Sequence, residues 1–197
     1  MTKTIDYYFS LISPWTYMGD AKLREIASRA GARIVYKPMK LATVFPATGG
    51  LPLAKRAPQR QDYRLVELAR WSASLGLPLT LHPKYFPADE SRAAALVLAA
   101  LANGEDVGKL VYAILSAVWV GEGNIADDQT LRQLADGVGL DGEKLLIAAD
   151  SPDSLAEWDK NSEDAITVGV FGSPFYVING EPFWGQDRLH MVEAALR

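Results

Sequence analysis

The rhythm of hydrophobic and polar positions changes twice along this chain. From Thr4 to Phe9 aromatic and β-branched residues dominate, which is strand composition, and Ser13-Pro14 follows as a helix start with serine as N-cap and proline at the first helical position. Helical spacing then places Met18, Ala21, Leu23 and Ile26 on one apolar side until Gly31, which suits a left-handed C-cap. A second strand is predicted over Arg33 to Met39. Two strands joined by one helix form a right-handed parallel crossover, so the chain opens β-α-β.

The middle is helical in character. Asp62 to Leu75, Glu90 to Leu101, Val107 to Val120, Asp128 to Val138, Gly142 to Ala149 and Ser154 to Val168 show helical spacing or helix-former composition. Their boundaries fall at Gly76-Leu77-Pro78, Asn103-Gly104, Gly121-Glu122-Gly123 and Gly139, with Asp127 or Asp128 and Asp141 as N-caps. Thr43 to Arg60, interrupted by Pro46, Gly49, Gly50, Pro52 and Pro58, is expected to be a loop beside something functional. Strand signals return after Gly172: Pro174 to Ile178, the hairpin dipeptide Asn179-Gly180, then Glu181 to Trp184, with a last helix from about Asp187. The plan is an α/β thioredoxin-like fold, β-α-β plus β-β-α, over residues 1–40 and 165–197. A large helical domain is inserted over 41–164.

Composition narrows the chemistry. With Lys+Arg 20 against Asp+Glu 24 the net charge is -4, which argues against a nucleic-acid or anionic-membrane partner. Cysteine is absent, so any thiol chemistry must use a borrowed thiol. The longest apolar run, Ala93 to Ala102, is about half of the roughly 20 residues needed to span a bilayer. Asp6 interrupts the opening segment where a secretory signal needs an apolar stretch, so a cytoplasmic protein is expected. His82 and His190 are far apart and no acidic or histidine spacing suits a metal, so none is expected.

Three segments are candidates for a site. Ser13-Pro14 begins a helix at the carboxyl end of the first parallel strand, where free N–H groups favour an anion such as a thiolate. Ser173-Pro174 precedes a strand, and a cis bond there would turn the Ser173 N–H and C=O outward to pair with an extended peptide. Gln186-Asp187-Arg188 opens the last helix and offers N–H groups and a carboxylate to a zwitterion. Each segment also has a plain capping or packing role. Lys55, Arg56, Arg60 and Arg64 form a basic cluster able to attract a carboxylate, and the five tryptophans divide between core and pocket wall.

The segments YYFSLISPWTYMG (Tyr7 to Gly19), ELARWSASLGLPL, VWVGEGNIADDQTL and VFGSPFYVINGEPFWGQDRL (Val170 to Leu189) together resemble 2-hydroxychromene-2-carboxylate isomerases. These are similar to kappa-class glutathione transferases within the DsbA-like branch of the thioredoxin superfamily. The resemblance implies a glutathione-dependent isomerase acting by reversible thiolate addition to a conjugated double bond, with glutathione as cofactor. Ser13 would stand in place of the redox cysteine and hydrogen-bond the glutathione sulfur. Ser173, Pro174, Trp184, Gly185, Gln186 and Asp187 would hold glutathione, while Arg56 and Tyr85 match positions near the second substrate. Where relatives carry an acidic residue after the first strand this chain has Ser10, and Phe45 to Gly50 lacks the family's Lys and Asn, which leaves the second substrate open. A kappa-like transferase and a non-catalytic thioredoxin-like binding protein are the alternatives, and relatives suggest a homodimer.

Overall fold

The computed structural model describes residues 3–197. A four-stranded sheet in the order β2-β1-β3-β4 is built from β1 (Thr4–Phe9), β2 (Arg33–Pro38), β3 (Phe175–Ile178) and β4 (Glu181–Trp184). β1 pairs parallel with β2, and β3 runs antiparallel to both β1 and β4. The expected β-α-β and β-β-α halves are therefore hydrogen-bonded side by side, in a thioredoxin-like sheet. α1 (Pro14–Ala30) makes the crossover, capped by the Ser13 side chain at one end and by left-handed Gly31 at the other.

Alternation along β1 sorts the core onto two faces. Ile5, Tyr7 and Phe9 join the large cluster, whereas Tyr8 points the other way to Met39, Val44, Ala165, Val170 and Phe175. The Tyr7 ring stacks on Tyr176 of the neighbouring strand at 5.5 Å. The large cluster runs on without a break through α4 (Ser91–Ala102), α5 (Gly108–Trp119) and α6 (Asp128–Gly137), so the inserted helices share one hydrophobic interior with α1. α7 (Gly142–Ala149) packs on α4. α8 (Pro152–Thr167), which straddles position 164, packs on β2, α4 and α2 (Leu41–Thr48).

The expectation of an irregular Thr43–Arg60 is corrected. Leu41–Thr48 is helical despite Pro46, a one-turn 3-10 segment follows at Leu53–Lys55, and α3 (Pro58–Leu75) starts early, with Pro58 at its first position. An interior proline costs a helix about 3 kcal/mol. Buried Val44, the Thr48 hydroxyl on the Val44 carbonyl at 2.8 Å and left-handed Gly49 offset that cost. The chain ends in a 3-10 turn, Gln186–Arg188, and α9 (Leu189–Ala195). Among the described residues no helix is long and apolar enough to cross a membrane.

Candidate functional site

Parallel β1 delivers the chain to the start of α1, and antiparallel β3 begins beside it. The β1-to-α1 turn and the β3 entry are therefore neighbours. Ser173-Pro174 is a cis peptide. Ser13, only 6% exposed, receives the Thr16 N–H on its hydroxyl at 3.2 Å and donates that hydroxyl to the Ser173 carbonyl at 3.3 Å. The Ser173 hydroxyl lies 2.8 Å from that of Thr16 and accepts the Ser10 N–H at 2.9 Å. The expectation that both polar groups of the Ser173 peptide face outward is thus corrected, because Ser13 occupies the carbonyl. Among the described residues no acceptor takes the Ser173 N–H.

The Gly185 N–H donates to the Pro174 carbonyl at 3.0 Å, which ties the turn after β4 to the cis peptide. Gly185 sits at φ 98°, and a Cβ there would come within 2.5 Å of Asp187 Oδ1. Only glycine meets both conditions. Gly19 brings α1 equally close to this turn, since a Cβ there would lie 2.9 Å from Gln186 Cβ. Trp184, 53% exposed, packs edge-on against Phe171 at 4.9 Å, over Gly172.

Ser173 and the turn after β4 open on a cavity of about 570 Å³, which Ser13 and Pro174 do not line. Ser173, Trp184, Gly185, Gln186 and Asp187 form one side of it, and Trp15, Tyr63 and Trp71 supply aromatic wall. The same cavity is lined by Arg56, in the extended link before α3, and by Arg60 and Arg64, which lie one turn apart on one face of α3. Among the described residues none of the three forms an ion pair, although Glu67 at the same wall does, with Arg70 at 2.9 Å. Burial, and then the Arg56 charge, pushes the Arg64 guanidinium down to about 10; burial and Arg60 lower Arg56 as well. Two partly desolvated cations, Arg56 and Arg64, with exposed Arg60 beside them and no carboxylate paired to any of the three, make a receptor for an anion. Tyr85 does not line the cavity. It stands 37% exposed, with the Lys84 ammonium 5.0 Å over its ring.

Beneath the site lies a residue that sequence reasoning passed over as the start of a helix. Glu90 caps α4 without using its side chain on that helix, because Asp89 takes the Ser91 N–H instead. The Glu90 carboxylate reaches across to the β1-to-α1 turn, accepting the Ser10 hydroxyl at 2.9 Å on each oxygen and the Leu11 N–H at 2.6 Å. Burial pushes it up to about 7 against the opposing pull of those donors. Its only advance signal was the missing acid at position 10, filled here from far along the chain.

A DSBA-like thioredoxin domain model matches residues 4–197. A 2-hydroxychromene-2-carboxylate isomerase of Sphingobium xenophagum is 34% identical over 198 residues, spanning 100% of this chain and 99% of that protein. A solved structure of such an isomerase superposes with a TM-score of 0.81 at 28% identity, covering 98% of this chain and 94% of that one. Glutathione S-transferase kappa 2 of Caenorhabditis elegans is 25% identical, over 96% of this chain and 90% of that protein.

Proposed function

Because this chain belongs to the DSBA-like thioredoxin family, and within it to that of the 2-hydroxychromene-2-carboxylate isomerases, we propose that it is a glutathione-dependent isomerase of an anionic, conjugated aromatic substrate. The observation that carries the reading is that Ser173, which precedes the cis peptide bond and accepts the Ser13 hydroxyl on its carbonyl, lines one cavity with three arginines that have no ion-pair partner among the described residues.

The residues suit a tripeptide thiol. The Ser173 N–H is available to a peptide carbonyl, Gly185 leaves room where any side chain would intrude, and the first turn of α1 carries no acidic residue to oppose an anion. Trp184 and Asp187 flank the same opening. Bound there, glutathione would supply the thiolate that adds reversibly to the substrate double bond, leaving a single bond free to rotate before the sulfur departs.

The protein's task is to hold that sulfur ionised. A free thiol has a pKa near 8.5. The α1 N-terminus offers roughly 0.3 to 2 kcal/mol and a hydroxyl donated to an anion roughly 1.5 to 3, together about two pKa units. The bond from Ser13 to the Ser173 carbonyl is long for a hydroxyl donor, so turning it toward an anion costs little. Arg56, Arg60 and Arg64 then orient the substrate carboxylate, and the tryptophan walls exclude water from the conjugated system.

The test is isomerisation of 2-hydroxychromene-2-carboxylate with and without glutathione. Turnover that needs glutathione while leaving its amount unchanged supports the reading. A stable conjugate makes the protein a transferase instead, and a glutathione-independent rate removes the thiol from the mechanism.

A further inference from the structure

Glu90 is a carboxylate that the fold holds at a cost. Partly withdrawn from water, with no cation paired to it among the described residues, it uses its lone pairs on the turn that carries Ser13 into place. Ser10, the first residue of that turn, also sends its N–H to the Ser173 hydroxyl at 2.9 Å. One hydrogen-bonded chain therefore leads from Glu90 through Ser10 to Ser173, and from Ser173 to Ser13 and Thr16. The donors that meet Glu90 are a hydroxyl and backbone N–H groups, all of which need an acceptor. An ionised carboxylate accepts everywhere, whereas a carboxylic acid or an amide presents a donor in one position.

We infer that Glu90 is a positioning residue for the glutathione site, and that its ionised form is the one that holds Ser10, Leu11 and Ser173 in the geometry that accepts the tripeptide. The inference rests on the glutathione reading above. Protonation puts a hydrogen against the Ser10 hydroxyl or the Leu11 N–H, the turn shifts, and the Ser173 peptide loses its register with Ser13. The raised proton affinity of Glu90 supports this, since ionisation then changes within the neutral range. The charges around it leave it in control. Asp89 is adjacent and adds a repulsion; Arg92 on the same helix is committed to Asp128 of α6 at 2.6 Å and Asp150 beyond α7 at 2.7 Å. From the β1-to-α1 turn come only Ser10, Leu11 and Ile12, none of them charged.

The experiment measures binding of S-methylglutathione, which has no thiol to titrate, to the full chain between about pH 6 and pH 8. For the native protein the affinity falls about tenfold toward the acid end, the loss of one charge-assisted hydrogen bond. Glu90→Gln binds weakly at every pH, with a flat profile and an unchanged circular dichroism spectrum. Ser10→Ala, which removes one donor to the carboxylate, moves the midpoint to higher pH; this variant also carries the test if Glu90→Gln does not fold. A flat native profile overturns the inference, as does a Glu90→Gln profile parallel to the native one or a Ser10→Ala midpoint that stays put. No binding at any pH overturns the glutathione reading together with this one, whereas binding that ignores Glu90 overturns this one alone.

Discussion

Thr16 Oγ1 and Ser173 Oγ stand 2.8 Å apart, which fastens the residue before the cis peptide to the first turn of α1. The pair lies at the join between the two halves of the sheet domain, so its geometry is felt on both sides of the site. Replacing Thr16 by Val keeps the shape and removes the bond. We expect glutathione affinity to fall about fivefold, equivalent to roughly 1 kcal/mol, because the Ser173 hydroxyl keeps only the Ser10 N–H. Isothermal calorimetry on the variant measures it, and an unchanged affinity would free Ser173 from any role through Thr16.

Ser13→Ala removes both a helix cap and the proposed donor to sulfur. The cap is worth about 0.5–2 kcal/mol of stability. The bound thiol should titrate one to two units higher, roughly, than in the native protein. Ultraviolet absorbance of the thiolate across a pH series separates the two effects, because Ser13→Gly restores most of the cap and none of the donor.

Arg64 pays for its place in the cavity wall, since burial and Arg56 both oppose its charge. Arg64→Met should therefore leave the urea midpoint unchanged or raise it, while raising KM for a carboxylate substrate about tenfold or more. A loss of stability with KM intact would make Arg64 a structural residue packed on Phe86 and Trp119, whose rings it overlies at 5.3 and 5.7 Å.

Stability should fall as pH rises through the weakly acid range. Burial raises Asp20 to about 6 against the pull of Arg24, and raises Glu90 to about 7, both above ordinary carboxylates. A carboxyl whose folded pKa is raised is most stabilising while protonated in both states. Its contribution is lost from the unfolded value of about 4 up to the folded one, and is constant above that. Denaturant midpoints should be higher near pH 5 than near pH 8, with Glu90 contributing of the order of 2 kcal/mol. Glu90→Gln should flatten that part of the curve and be the more stable protein at pH 8, even as it binds glutathione less well.

Much of this architecture was legible beforehand because it depends on local rules. The Ser13-Pro14 start, the Gly31 stop and the Asn179-Gly180 turn each state their conformation in two or three residues. The convergence of Arg56, Arg60 and Arg64 was half visible as a charge cluster, and only the packing of α3 showed which way it faced. α2 was missed because Pro46 and paired glycines outweighed a single apolar contact, Val44, made to a distant part of the chain. Glu90 was hidden for a related reason. Its partners lie some eighty residues earlier, and a helix-opening glutamate at a surface gives no sign of reaching inward.

The three arginines have one more effect, which acts before any contact is made. On a molecule whose net charge is -4, a cluster of three arginines at one mouth makes the field uneven and favours the approach of an anion there. An approaching carboxylate is thus turned to enter acid end first, and its capture slows as dissolved salt shortens the reach of that field to about 8 Å at physiological ionic strength.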